Sequence, residues 1–289
     1  MPKSPSRHPA WRHTLRATLL ALLCGLGLVG CAALDRQQRA WIFQPGDRTW
    51  WGGAVAAEGM QDQWIDFQPA DSKSPVRLHA LWLPQERTDA PVLLYLHGAR
   101  WDVRGSAPRM RRMHELGFAV LGVDYRGFGR SSPDLPSEAM AVEDARAAWD
   151  WLATQHPQTR RFIFGHSLGG AIAVHLAADV TDEAGLIVES SFTSIPEVVS
   201  TFKWGWLPVG PFITQKLDAG SRIGTVGSPV LVVHGDRDSL IRPELGQRLY
   251  DRAASPKRFV LVAGGSHHST NAIGQPLYRQ ALADLFGLQ

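Results

Sequence analysis

The chain has 289 residues, 44% of them hydrophobic and 20% charged, which excludes a disordered polyelectrolyte and suits one large domain with its own core. Its formal charge of +3 is local: Lys3, Arg7, Arg12 and Arg16 precede every acidic residue, and without these four the remaining bases fall one short of the 27 acids. The rest of the chain is near neutral, so the electrostatic case for nucleic-acid binding disappears.

The first element is an address. A basic stretch is followed by an apolar run from Ala17 to Val29, the pattern of a secretory leader and shorter than the ~20 apolar residues of a transmembrane span. The run ends in Leu28-Val29-Gly30-Cys31, which resembles the bacterial lipobox. That resemblance implies cleavage after residue 30, lipid on Cys31 and a membrane-anchored, exported protein. With Ala32 next it implies the outer membrane, if the source is Gram-negative. An ordinary leader with an incidental Cys31 is the alternative. Cys24 leaves with the leader, so the mature chain has no free thiol and needs no disulfide. Residues 31–61, rich in Trp, Gly and Gln, read as an irregular tether that packs onto the domain surface, with Trp41, Trp50 and Trp51 as packing residues.

From residue 62 onward the periodicity is regular. Gln63–Phe67 and Arg77–Leu83 predict two antiparallel strands with a turn at Asp71–Pro75. Apolar runs at 91–97, 118–124, 161–165, 186–189, 229–234 and 259–262 predict strands covered on both faces. Helical stretches alternate with them at about 104–116, 138–155, 168–179, 242–253 and 270–287. This alternation predicts an α/β architecture with a mostly parallel central sheet and helices on both sides. The segment 191–222, rich in Phe, Trp, Pro and Gly, reads as a short cap inserted into the domain 62–289.

Strand 161–165 runs into Gly165-His166-Ser167-Leu168-Gly169-Gly170, and a small-residue helix follows. This is a G-x-S-x-G elbow in the context that gives it meaning, with a strand before and a helix after. Ser167 must occupy a strained turn to point its hydroxyl out of the sheet top, and side chains at the flanking glycines would strike neighbouring backbone. From residue 62 to the end the chain resembles the α/β-hydrolase superfamily. The residues that carry this are His97-Gly98, Asp124 to Ser131, the elbow, Glu189 to Thr193 and His234 to Asp238. It is closest in pattern to the branch of lysophospholipase-like and serine-aminopeptidase-like proteins and abhydrolase-domain thioesterases.

The resemblance implies a triad in the order Ser, acid, His. A Ser hydroxyl is a weak nucleophile and needs a base, and the base needs an acid to hold its tautomer. The acid falls on Asp238, with Asp236 as the turn-stabilising alternative. The base falls on His267, with His268 as its exposed neighbour. The oxyanion donors are the backbone N–H groups of Leu168 and Ala99, although relatives often carry Asn at the latter position. No H-E-x-x-H or similar pair is present, so no metal and no cofactor is expected. Asp124, Gly127 and Gly129 read as a loop brace. Glu189 to Phe192 and Trp204 and Trp206 are candidates for the pocket wall.

The leading functional expectation is hydrolysis of a small-molecule or lipid ester or thioester at a membrane face, with no obligate protein partner evident. An aminopeptidase is the second reading, disfavoured because the cap holds only Glu197 and Asp218 to receive a substrate amine. A non-catalytic binding lipoprotein on this scaffold is the third, disfavoured because no triad member is missing.

Overall fold

The computed structural model describes residues 30–72, 74–203 and 205–288. The leader expected at the N-terminus, with Cys24, and the cap residue Trp204 lie outside these residues.

The described chain opens with a helix, α1, at residues 30–43, and a short turn of helix, α2, at Gly53–Ala56. Here the expectation of an irregular tether fails. The segment is rich in strong helix formers, and Asp35 and Arg39 form an i,i+4 ion pair at 3.8 Å. The helix is bound to the domain: Phe43 is fully buried, Arg39 donates to the carbonyls of Leu135 and Pro136, and Gln215 donates to Asp35. Of the three tryptophans expected to pack, Trp41 at 67% and Trp51 at 92% are exposed, whereas Trp50, 49% exposed, lies against Gly105.

Eight strands follow: β1 (Gln61–Phe67), β2 (Val76–Leu83), β3 (Val92–Leu96), β4 (Ala119–Val123), β5 (Arg161–His166), β6 (Gly185–Glu189), β7 (Val230–Gly235) and β8 (Lys257–Val262). They form one sheet in the order β1-β2-β4-β3-β5-β6-β7-β8. β1 and β2 pair antiparallel, as does β2 with β4, and every other pairing is parallel. The five strands from β4 to β7 are buried at every residue, whereas β1 and β8 at the edges are partly exposed. That difference explains why the inner strands read as unbroken apolar runs.

Alternation along each strand divides the apolar residues between two cores. On one face Leu94, Leu96, Leu121 and Ile163 meet Trp149 of α4 (Glu138–Gln155) and Ile172 of α5 (Leu168–Asp179). On the other, Leu93, Tyr95, Phe162 and Phe164 meet Met110 and Met113 of α3 (Ala107–Glu115). The helix α4 starts where Ser137 Oγ accepts from Met140 N at 3.2 Å. The cap consists of α6 (Ile195–Ser200), a 3-10 turn at Gly210–Phe212 and α7 (Ala219–Arg222). Three helices complete the fold: α8 (Pro243–Arg252), α9 (Thr270–Ile273) and α10 (Gln275–Phe286). Parallel strands point the loops after β3, β5, β7 and β8 to one edge of the sheet, where such folds place their sites.

Candidate active site

The loop after β5 is the elbow. Ser167 has φ 56° and ψ −122°, a left-handed conformation costing about 1–3 kcal/mol in a non-Gly residue. The turn is pinned from both sides: Ser167 N donates to Glu189 O at 3.0 Å, and its carbonyl accepts from Gly170 N at 2.9 Å and Ser191 Oγ at 2.8 Å. The expected glycine requirement is met. A Cβ on Gly165 would lie 2.2 Å from Gly169 O, and one on Gly169 would lie 2.1 Å from Leu96 O. Strand and helix therefore approach at backbone contact, and Ser167 sits at the N-terminus of α5.

The loops after β7 and β8 bring the two partners. His267 Nε2 lies 3.0 Å from Ser167 Oγ, and His267 Nδ1 lies 2.8 Å from Asp238 Oδ2. Asp238 Oδ1 accepts from Leu240 N at 3.0 Å and Ile241 N at 2.9 Å, so both carboxylate oxygens are engaged. Burial pushes the Asp238 carboxyl up. The His234, His267 and Ile241 donors outweigh it and hold the group well below the usual carboxylate range. An ionised Asp238 fixes the proton on Nδ1, which leaves the Nε2 lone pair to accept from the Ser167 hydroxyl. Asp236 instead accepts from Gly264 N at 2.7 Å in the exposed turn, and His268 is exposed. In each pair one residue is in the chain of hydrogen bonds and its neighbour is outside it.

The loop after β3 lies against the nucleophile: a Cβ on Gly98 would be 3.2 Å from Ser167 Cβ. Ala99 lines the same cleft as Ser167, and Leu168 is the first residue of α5, whose leading N–H groups have no partner within the helix. Asp124 braces this loop as expected, accepting from Val103 N at 2.7 Å and standing 3.5 Å from His97 Nε2. Gly129, at φ +50°, leaves room for it, since a Cβ there would fall 2.1 Å from Asp124 Oδ2.

Several contributors were not legible in the motifs. His166, inside the elbow, is buried and its Nε2 lies 3.0 Å from His267 O, so it steadies the backbone of the candidate base. Burial, with Arg109 nearby, holds His166 well below its ordinary value, so it is the neutral imidazole that donates. Beneath it Arg109 Nε donates to Glu189 Oε1 at 2.7 Å, and Tyr278 OH donates to Glu189 Oε2. Glu189 is thus a buried anchor rather than part of the wall. The end of α1 reaches the rim: Phe43 O accepts from Arg100 N at 3.0 Å and Gln44 Oε1 from Arg100 Nε at 3.1 Å. Only the helical propensity of 30–43 could have signalled that contact. The cleft encloses ≈ 720 Å³.

Comparison with known proteins identifies the family and the fold. The serine aminopeptidase S33 family, Hydrolase_4, matches residues 88–217. An uncharacterized protein of Mycobacterium tuberculosis is 36% identical over 201 residues, 68% of this chain and 70% of that protein. The chain belongs to the α/β-hydrolase superfamily. The lysophosphatidylserine lipase ABHD12 of Danio rerio is 31% identical over 186 residues, 58% of this chain and 48% of the lipase, so the chain spans about half of that relative. Among solved structures, a Pyrococcus furiosus esterase superposes with a TM-score of 0.64 at 18% identity, covering 84% of this chain and 98% of the esterase. Est1E of Butyrivibrio proteoclasticus, with ferulic acid bound, also gives 0.64 at 20% identity, over 78% and 99%. These two carry the fold, which is that of the α/β-hydrolases.

Proposed function

We propose that this hydrolase cleaves carboxylic esters or thioesters through an acyl-enzyme on Ser167, at a membrane surface to which lipid on Cys31 holds it. The observation that carries the reading is the continuous hydrogen-bonded chain from Ser167 Oγ to His267 to an ionised, doubly anchored Asp238 at the floor of a cleft. In this reading His267 takes the Ser167 proton as the oxygen attacks the carbonyl carbon. The C–O or C–S bond of the tetrahedral intermediate then breaks as His267 returns that proton to the leaving group. Water, deprotonated by His267, releases the acid and restores the hydroxyl. The N–H groups of Ala99 and Leu168 receive the transient oxyanion. The similarity to a lysophosphatidylserine lipase supports an ester of a lysophospholipid as the substrate class.

The peptidase alternative requires a carboxylate for the substrate ammonium. Glu197 is committed to Arg248 and Arg252 at 3.2 Å each, and Asp218 caps α7 through Ser221 N. Neither lines the cleft. The membrane part rests on Cys31, which is exposed at the start of α1, and on exposed apolar side chains nearby in sequence and in the cap: Leu34, Trp41, Phe202, Trp206 and Phe212. Gln38 Nε2 donates to Phe212 O at 2.8 Å, so α1 and the cap are joined.

A fluorophosphonate probe tests the catalytic part. The full chain should acquire one adduct, located at Ser167 by mass spectrometry. The folded Ser167→Ala variant should be unlabelled and should hydrolyse p-nitrophenyl butyrate at under about a hundredth of the wild-type rate. An unlabelled wild-type protein refutes the reading.

A further inference from the structure

The cleft is charged on one side of the ledger only. Arg100, Arg109, Arg112 and His268 line it with Ser167 and His267, and no Asp or Glu does so among the described residues. Arg109 is matched by Glu189. Arg112, three residues further along α3 and so on the same face, is half-buried and makes no hydrogen bond or ion pair with any described residue. Glu189 and Glu115 act on it only from beyond 4.0 Å. Arg100 donates to the neutral Gln44 and forms no ion pair with a carboxylate among the described residues.

A guanidinium that has lost part of its hydration without gaining a counter-ion is in an unfavourable state. Burial and the neighbouring Arg109 both oppose its charge, yet Arg stays protonated in proteins. His268 reports the same positive field. Though the residue as a whole is exposed, partial desolvation of its ring in the cleft, then His267, Arg109 and Arg100, hold it below its ordinary value, so it is neutral near pH 7 and the arginines are the cations of the cleft. An anion would restore the balance, and a guanidinium fork matches a phosphate or carboxylate in two parallel hydrogen bonds.

We propose that the cleft selects esters bearing a phosphate or carboxylate, which Arg112 binds with help from Arg100 while the scissile carbonyl lies at Ser167. The selection rests on the esterase reading above and adds which residues of the cleft hold the anion of its substrate. It accounts for the absence of acidic residues from the cleft, and it makes an amine-terminated substrate the wrong charge.

The test uses the full chain and short soluble esters in matched pairs: butyryl glycerophosphate against monobutyrylglycerol, and mono-p-nitrophenyl succinate against p-nitrophenyl butyrate. The first pair places the anion on the alcohol side and the second on the acyl side. The wild-type protein should favour at least one anionic ester over its neutral partner by about tenfold or more in kcat/KM, the scale of one hydrogen bond to a charged group. The preference should shrink as salt rises, because the cleft is open to screening. Arg112→Gln should lower the anionic-to-neutral ratio by about tenfold, and Arg112→Lys should recover part of it, keeping the charge without the fork. Equal kcat/KM within both pairs, or a ratio unmoved by Arg112→Gln, overturns the inference. Fluorophosphonate labelling is read in parallel. An unlabelled wild-type protein overturns the esterase reading, whereas normal labelling without anion preference overturns only the charge selection. If Arg112→Gln fails to fold, the wild-type pairs, their salt dependence and Arg112→Lys decide.

Discussion

Asp238→Asn should inactivate the enzyme without unfolding it, and the reason lies in how the carboxylate is held. Oδ1 accepts two backbone N–H groups, from Leu240 and Ile241, and Oδ2 faces His267 Nδ1 at 2.8 Å. An amide has one acceptor oxygen. Turned toward His267, it points its NH₂ at the two backbone donors and leaves both unpaired, at about 1–3 kcal/mol each. Turned toward those donors, it keeps both bonds and presents N–H to His267 Nδ1. The second orientation is cheaper, and it makes Nδ1 the acceptor and moves the imidazole proton to Nε2. His267 then donates toward Ser167 and cannot take its proton. A wrong tautomer of this kind costs about 10⁴ in kcat in serine proteases, or about 5 kcal/mol of transition-state stabilisation. The assay is kcat on p-nitrophenyl butyrate, with circular dichroism to confirm the fold and Asp236→Asn as the matched control. Asn at 236 keeps a carbonyl oxygen for Gly264 N, so that variant should stay within a few-fold of wild type by the small effects usual at exposed sites. A folded Asp238→Asn enzyme within tenfold of wild type, or equal damage from both variants, would refute the argument.

Three further outcomes are expected, two from the geometry of the site and one from the leader sequence. His267→Ala should lower kcat by at least about a thousandfold, since it removes the base, while His268→Ala, exposed and outside the hydrogen-bonded chain, should keep most activity on neutral esters; steady-state kinetics separates them, and comparable losses would show the wrong histidine was chosen. Gly169→Ala places a methyl group 2.1 Å from Leu96 O, a backbone atom that cannot swing aside, and should destabilise the domain by about 1–3 kcal/mol or more in urea unfolding. An unchanged midpoint would mean that α5 lies further from β3 than described. Mass spectrometry of the mature N-terminus should find lipid on Cys31, and an unmodified Cys31 or a cleavage site elsewhere would end the lipoprotein reading while leaving the hydrolase untouched.

What could be read from the sequence is what depends on near neighbours in the chain. The buried strands announce themselves because both of their faces meet helices, so β3 to β7 carry apolar residues without interruption. The elbow announces itself because strand, strained serine and helix must be consecutive, and its glycines answer contacts with Leu96 and Gly170 that any chain making this turn would have. The helix at 30–43 is not legible in the sequence because its apolar pattern is weak. It is held by partners at Pro136, Gln215 and Arg100, far along the chain.

The sequence by itself determined the α/β class, the position of the candidate nucleophile and the two short segments holding the candidate acid and base, since each is a local pattern of residue type and spacing. The resemblance favoured Asp238 over Asp236 and His267 over His268, but only the tertiary structure shows which member of each pair stands within hydrogen-bond reach of its partner. In each pair the residues share a loop and differ only in which one the packing of β7 against β8 turns toward Ser167. It also decided the charge of the cleft. Arg109 and Arg112 stand more than fifty residues before Ser167, and they reach its cleft because the sheet order sets β3 beside β5 and packs α3 over the same end. Side-chain direction around a site is a property of how the layers stack, and no window of sequence contains it.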